Sequence, residues 1–258
     1  MDNRLTILKL SEKVKAYIEK VEKETGCNVS IKNSSKEGAR VKIDCEHKYI
    51  RVLINEEEFK KESEEEINYT IIHEVTHGFL VLKKKYCWIK SVNCGLKEGY
   101  AIFYLQTMIE DIVVDKIIHE KNYILYSFTT YLDNVKKNMK VIRDKGKGGY
   151  FCEKYNDLKH KSKMILTYIL AWGYLTYSIS DKIDKKTLSE YLKIFQKLCP
   201  KHYEEAKKIK EIILKNDIFT SEGYNKTIKE CLELWNLKDL VDVYICVKKN
   251  GHYDTISI

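Results

Sequence analysis

Ile71-Ile72-His73-Glu74-Val75-Thr76-His77-Gly78-Phe79 is the stretch from which the rest of the chain is read. Two histidines four residues apart enclose a glutamate, an HExxH pattern. On an α-helix, positions i and i+4 lie one turn apart on the same face. Two imidazoles so placed can grip one divalent ion, and a glutamate beside the first can handle a proton of an activated water. The surroundings predict that helix. Ser63 followed by Glu66 is a capping-box signature, so the helix is expected from about Glu64 to about Lys85. Ile67, Ile71, Ile72, Val75, Phe79 and Leu82 form its apolar face, whereas His73 and His77 point the other way with Thr70 and Leu80.

Upstream, Leu5 to about Glu24 has helical spacing, and Gly26 stands where a C-terminal cap is expected. Three short alternating runs follow, Cys27–Lys32, Ala39–Asp44 and Tyr49–Ile54, separated in part by turn-forming Asn33-Ser34-Ser35 and Glu37-Gly38. They predict a small antiparallel sheet or meander. Downstream, Tyr86–Gly95 reads as a loop, and a second long helix is expected from Glu98 to about His119. Ile102, Leu105, Ile109 and Ile112 make an apolar column on it, in line with Glu98. Glu98 follows His77 after twenty intervening residues and opens a Glu98-Gly99-Tyr100-Ala101 run.

His73-Glu74-Val75-Thr76-His77 followed by Glu98-Gly99-Tyr100-Ala101 resembles the gluzincin zinc metallopeptidases. With the strand Tyr49–Asn55 ahead of the motif helix, it is also similar to the small ImmA/IrrE-like peptidase domains. The resemblance covers about residues 39–119 and lies at the level of motifs. It implies an α+β, mostly α fold with a zincin-like core, and one Zn²⁺ per chain held by His73, His77 and Glu98. Glu74 would then be the catalytic base that activates water for hydrolysis of a peptide or protein substrate. Asp111, four residues before Asp115, is an alternative third ligand. His119, Tyr123, Tyr126, Tyr150 and His160 are candidates for an oxyanion-stabilising group, and the sequence does not choose among them.

Beyond residue 122 a helical region is expected, so the domain reading is a core over 1–122 and a helical part over 123–258, with one continuous domain as the alternative. Helices are expected over Tyr123–Val141, Leu158–Ser178, Lys185–Leu198, Tyr203–Lys215 and Glu222–Leu234. The chain ends in Val241–Val247 and Tyr253–Ile258 around Asn250-Gly251, a hairpin signal. Arg143–Gly149 is a basic, glycine-containing loop without the strand and helix context of a phosphate cradle.

Composition narrows the classes. With 44% hydrophobic and 33% charged residues and a single proline, the 258-residue chain has the profile of a globular protein, neither disordered nor proline-linked. A net charge of +8 permits anionic partners but specifies none. Lys136, Lys137, Lys140, Arg143, Lys145 and Lys147 support the other reading, a catalytically inactive zincin-like regulator that binds nucleic acid or protein, although no nucleic-acid motif is present. Eight cysteines without a CxxC pair, behind a charged start with no signal core, suggest free thiols and a cytoplasmic setting. Cys87 and Cys94 bracket the Tyr86–Gly95 loop and are the one pair considered for an oxidising compartment. Met164–Ser180, 17 residues without a charge, fits a buried core helix better than a membrane span.

Overall fold

A computed structural model describes residues 10–36, 38–120, 127–146, 157–177, 179 and 183–258. The architecture is α+β and mostly helical. The described residues divide into two compact units: those within 1–88, 120–127 and 244–258 form the first, and those within 89–119 and 128–243 the second.

In the first unit, α1 spans Glu12–Thr25. Ser11 caps it by accepting from the Val14 N–H, and residues 5–9 of the expected helix lie outside the described residues. Gly26 ends it at φ +74°, in the left-handed region expected of a C-terminal cap glycine. Strands β1 (Asn28–Asn33), β2 (Arg40–Asp44) and β3 (Tyr49–Ile54) fall close to the expected runs. Their topology differs from a meander. The order is β1-β3-β2, with β3 parallel to β1 and antiparallel to β2. The reason lies in burial: Ile50, Val52 and Ile54 are completely buried, so β3 takes the centre, while β2, with no fully buried residue, takes an edge.

A short α2 (Glu56–Phe59) precedes α3 (Glu64–Lys84), which packs on α1 and on the β2–β3 part of the sheet. The capping box at Ser63 and Glu66 is formed in both directions. At Gly78 the helix comes so close to β3 that an added Cβ would lie 2.8 Å from Cγ2 of Ile50. The sequence passes over this glycine, yet it sets the distance between helix and sheet.

Strand β4 (Trp88–Ser91) occupies part of the expected Tyr86–Gly95 loop and joins a second sheet of order β4-β5-β6. Four residues without clean alternation gave no strand signal. Strands β5 (Val241–Lys249) and β6 (His252–Ser257) form the expected hairpin, with Asn250 at φ +49° and Gly251 at φ +79°. Within the first unit the hairpin is anchored at the end of α1. Lys248 Nζ and Tyr253 OH both donate to the Thr25 carbonyl, at 2.9 and 2.7 Å.

In the second unit, α4 runs from Leu96 to Glu120 and buries the column Ile102, Leu105, Ile109 and Ile112. α5 (Ser127–Gly146) continues through Arg143–Gly146, which had been expected as loop; residues 147–149 lie outside the described residues. α6 (Leu158–Thr176) is a buried helix on which Gly173 admits the Ile112 side chain, where an added Cβ would collide with its Cδ1. α7 (Lys185–Leu198) and α8 (Pro200–Lys215) pack on α6, and α9 (Ser221–Leu234) completes the series. Pro200 starts α8 three residues before the expected point, its fixed φ suiting a first helical position. Among the described residues no helix is long and apolar enough to cross a membrane.

Candidate metal centre

Three faces of α3 do different work. One carries Gly78 and meets the sheet. A second carries Thr76, whose hydroxyl donates to the Ile72 carbonyl (2.7 Å) and therefore accepts from the Tyr17 phenol of α1 (2.8 Å). This buried pair fixes the rotation of α3 against α1. The third carries Tyr69, His73 and His77 at successive four-residue steps.

On that third face the Nε2 atoms of His73 and His77 lie 3.1 Å apart, with the rings 4.8 Å apart between centroids and nearly perpendicular. The Tyr69 hydroxyl is 3.0 Å from Nδ1 of His73. When Nδ1 carries the proton, the phenol oxygen accepts it and Nε2 presents its lone pair. In that tautomer Tyr69 supports the ring orientation that a metal ligand needs. His73 is half-buried and His77 retains 9% exposure, so both belong to a largely enclosed face. The expectation that the histidines stand away from the Ile71/Val75 stripe holds. Leu80 on their side is nevertheless fully buried, which makes this third face apolar at its C-terminal end.

Two nitrogen ligands at about 2.0–2.1 Å from one tetrahedral ion would be separated by about 3.3 Å. The 3.1 Å between the imidazole nitrogens is hydrogen-bonding distance and also close to that spacing, so the two rings are near enough to share one ion. Glu74 follows His73 directly and is half-buried.

The carboxylates considered for the third ligand both belong to α4, in the second unit. Glu98 lies in its first turn, and its Oε2 folds back over Gly95, within 2.5 Å of where a Cβ would stand. Asp111 is half-buried thirteen residues further on, about 20 Å along the axis. One ion can therefore take one of them, not both. The residues beside Asp111 have partners of their own. Asp115 accepts from the Tyr174 phenol at 2.5 Å, and Glu110 accepts from Tyr224 at 3.4 Å, all four side chains being buried. Asp115 is thus tied to α6.

Of the oxyanion candidates, Tyr123, Tyr126 and Tyr150 lie outside the described residues. His119 sits in the last turn of α4. His160 is bound through Nδ1 to Asp157, 2.6 Å away, at the start of α6. Tyr69 was missed by the sequence reading, although its position four residues before His73 was an available signal. In the basic stretch, Lys136 lies 3.9 Å from Asp133 and Arg143 pairs with Glu190, so part of its charge is balanced locally.

No family model matches the chain, and comparison with curated proteins and with solved structures finds no match.

Proposed function

We propose that the chain is a zinc-dependent metallopeptidase of the gluzincin kind, with a zincin-like core built around α3. The observation that carries this reading is the approach of the His73 and His77 Nε2 atoms to 3.1 Å, with the Tyr69 hydroxyl 3.0 Å from Nδ1 of the first ring. His73 and His77 would hold the ion, together with one carboxylate of α4. Glu98 is the first choice, from its Glu-Gly-x-Ala context, and Asp111 is the alternative. When bound, Zn²⁺ supplies Lewis-acid activation of a water and of the scissile carbonyl.

The chain's own groups do the rest. The Glu74 carboxylate accepts a proton from the attacking water and delivers it to the leaving amine, the ordinary exchange of a general base that becomes a general acid. The Tyr69 phenol holds the His73 ring in place while this happens. Thr76 and Tyr17, by fixing the rotation of α3, keep Glu74 and the two imidazoles in register. The substrate is a peptide or protein backbone.

The test is turnover of a mixed peptide library by the zinc-loaded full chain, compared with Glu74→Gln. Wild-type cleavage, lowered about 10²–10⁴-fold in the variant with zinc retained, supports the assignment. Cleavage at the wild-type rate by Glu74→Gln removes Glu74 as the base. Zinc binding without turnover of any peptide would leave the inactive, zincin-like binding protein as the better reading.

A further inference from the structure

A second chemically competent pair lies in the first unit, just beyond the end of β2. Cys45, just after β2, and Cys246, in β5, are 201 positions apart, yet their sulfurs are 3.2 Å from one another. Both are free thiols. Cys246 is completely buried, whereas Cys45 is partly exposed. Cys45 also lines an open cleft of about 780 Å³, together with Asp44, Arg51, Trp88, His252 and Tyr253.

We infer that Cys45 and Cys246 form a peroxide-sensing dithiol, in which Cys45 is oxidised by a hydroperoxide entering this cleft and Cys246 resolves it to a disulfide. The two sulfurs differ in kind. The hydrogen bond between the two sulfurs lowers the Cys45 thiol against the opposing effects of burial and of the Asp44 charge. The same hydrogen bond and burial push Cys246 up. Cys45 is therefore the more readily ionised sulfur of the two, and Cys246 the one that keeps its proton. Cys27, the next thiol, is buried and raised, and does not compete as nucleophile.

The chemistry balances in two steps. The Cys45 sulfur attacks one peroxide oxygen; the O–O bond breaks, a sulfenic acid forms, and the other oxygen leaves as water or alcohol with a proton from solvent. The Cys246 sulfur then attacks the Cys45 sulfur. The S–O bond breaks, the S–S bond forms, and the hydroxyl departs as water with the Cys246 proton. Two thiols lose two electrons, and the hydroperoxide gains them. The sulfurs need to close from 3.2 Å to about 2.05 Å, a movement within reach of side-chain rotation and a small shift of the turn after β2. The product ties this turn to the C-terminal hairpin; a small dithiol reverses it.

Hydrogen peroxide added in stoichiometric amount to the reduced full chain is the probe, read by thiol counting and non-reducing peptide mapping. The expected result is loss of two of the eight thiols, a single cross-linked peptide joining Cys45 to Cys246, and recovery of all eight after dithiothreitol. Cys246→Ser should stop at a Cys45 sulfenic acid that a 1,3-diketone traps, and Cys45→Ser should leave Cys246 reduced. Thiol loss scattered over several cysteines, or oxidation of Cys246 at an unchanged rate in Cys45→Ser, would overturn the inference. Zinc binding plays no part in these readouts.

Discussion

Gly78 of the motif helix faces Ile50 of the central strand so closely that a Cβ would stand 2.8 Å from the Ile50 Cγ2 methyl. Because Ile50 is completely buried and β-branched, it has no free rotamer into which to retreat. Gly78→Ala sets two effects against each other. Helix propensity favours alanine by about 1 kcal/mol, whereas overpacking a buried contact costs about 1–3 kcal/mol. The contact should win, so chemical denaturation is expected to show a net loss of up to about 2 kcal/mol. A variant more stable than wild type would mean that helix and sheet are further apart than described.

Tyr69 is expected to act through His73 rather than on any substrate. Tyr69→Phe keeps the ring and removes the hydroxyl that lies 3.0 Å from Nδ1. Zinc affinity should fall about 10–100-fold, as for loss of other groups that orient a ligand histidine. Competition with a chromophoric chelator measures it. Unchanged affinity would show that the phenol does not orient this ring.

Glu98 and Asp111 stand about 20 Å apart along one helix, so their alanine variants should give opposite results. Only one of Glu98→Ala and Asp111→Ala should lose zinc, and the other should retain it. Equal retention by both would exclude α4 as the source of the third ligand.

Burial pushes the Tyr168 phenol up to about 12 from the usual value near 10. It packs between Phe195 and Tyr203, 4.8 and 5.8 Å away between ring centroids. The raised value means that the folded state holds its proton more tightly than the unfolded state. Its contribution is complete below pH 10 and is lost as pH rises towards 12. Alkaline unfolding should therefore begin in this window and shift to higher pH in Tyr168→Phe. An unshifted transition would assign it to other groups.

What the sequence made legible was periodic or capped. The α3 boundaries followed from Ser63 and Glu66, the buried stripe of α4 from Ile102 to Ile112, and the final hairpin from Asn250-Gly251. What it hid depends on partners distant in the chain. Whether β1 pairs with β2 or with β3 is decided by which strand is buried on the sheet, and the three runs alternate similarly. β4 is too short to carry a period. In the site, the His73–His77 spacing was legible because one helix provides it. Cys45 beside Cys246 was not, since 201 positions separate them and no local signal marks either. The third ligand falls between these cases: α4 carries several carboxylates, and spacing alone favours none decisively.

Metal content tests the central reading most directly. Equilibrium dialysis of the folded full chain against micromolar Zn²⁺ at neutral pH, followed by elemental analysis, should give about one zinc per chain for wild type, as two histidines with one carboxylate require. His73→Ala and His77→Ala, each still folded, should retain almost none. A folded wild-type chain that takes up no zinc, or a His77→Ala variant that binds it as tightly as wild type, would contradict the metal centre on α3.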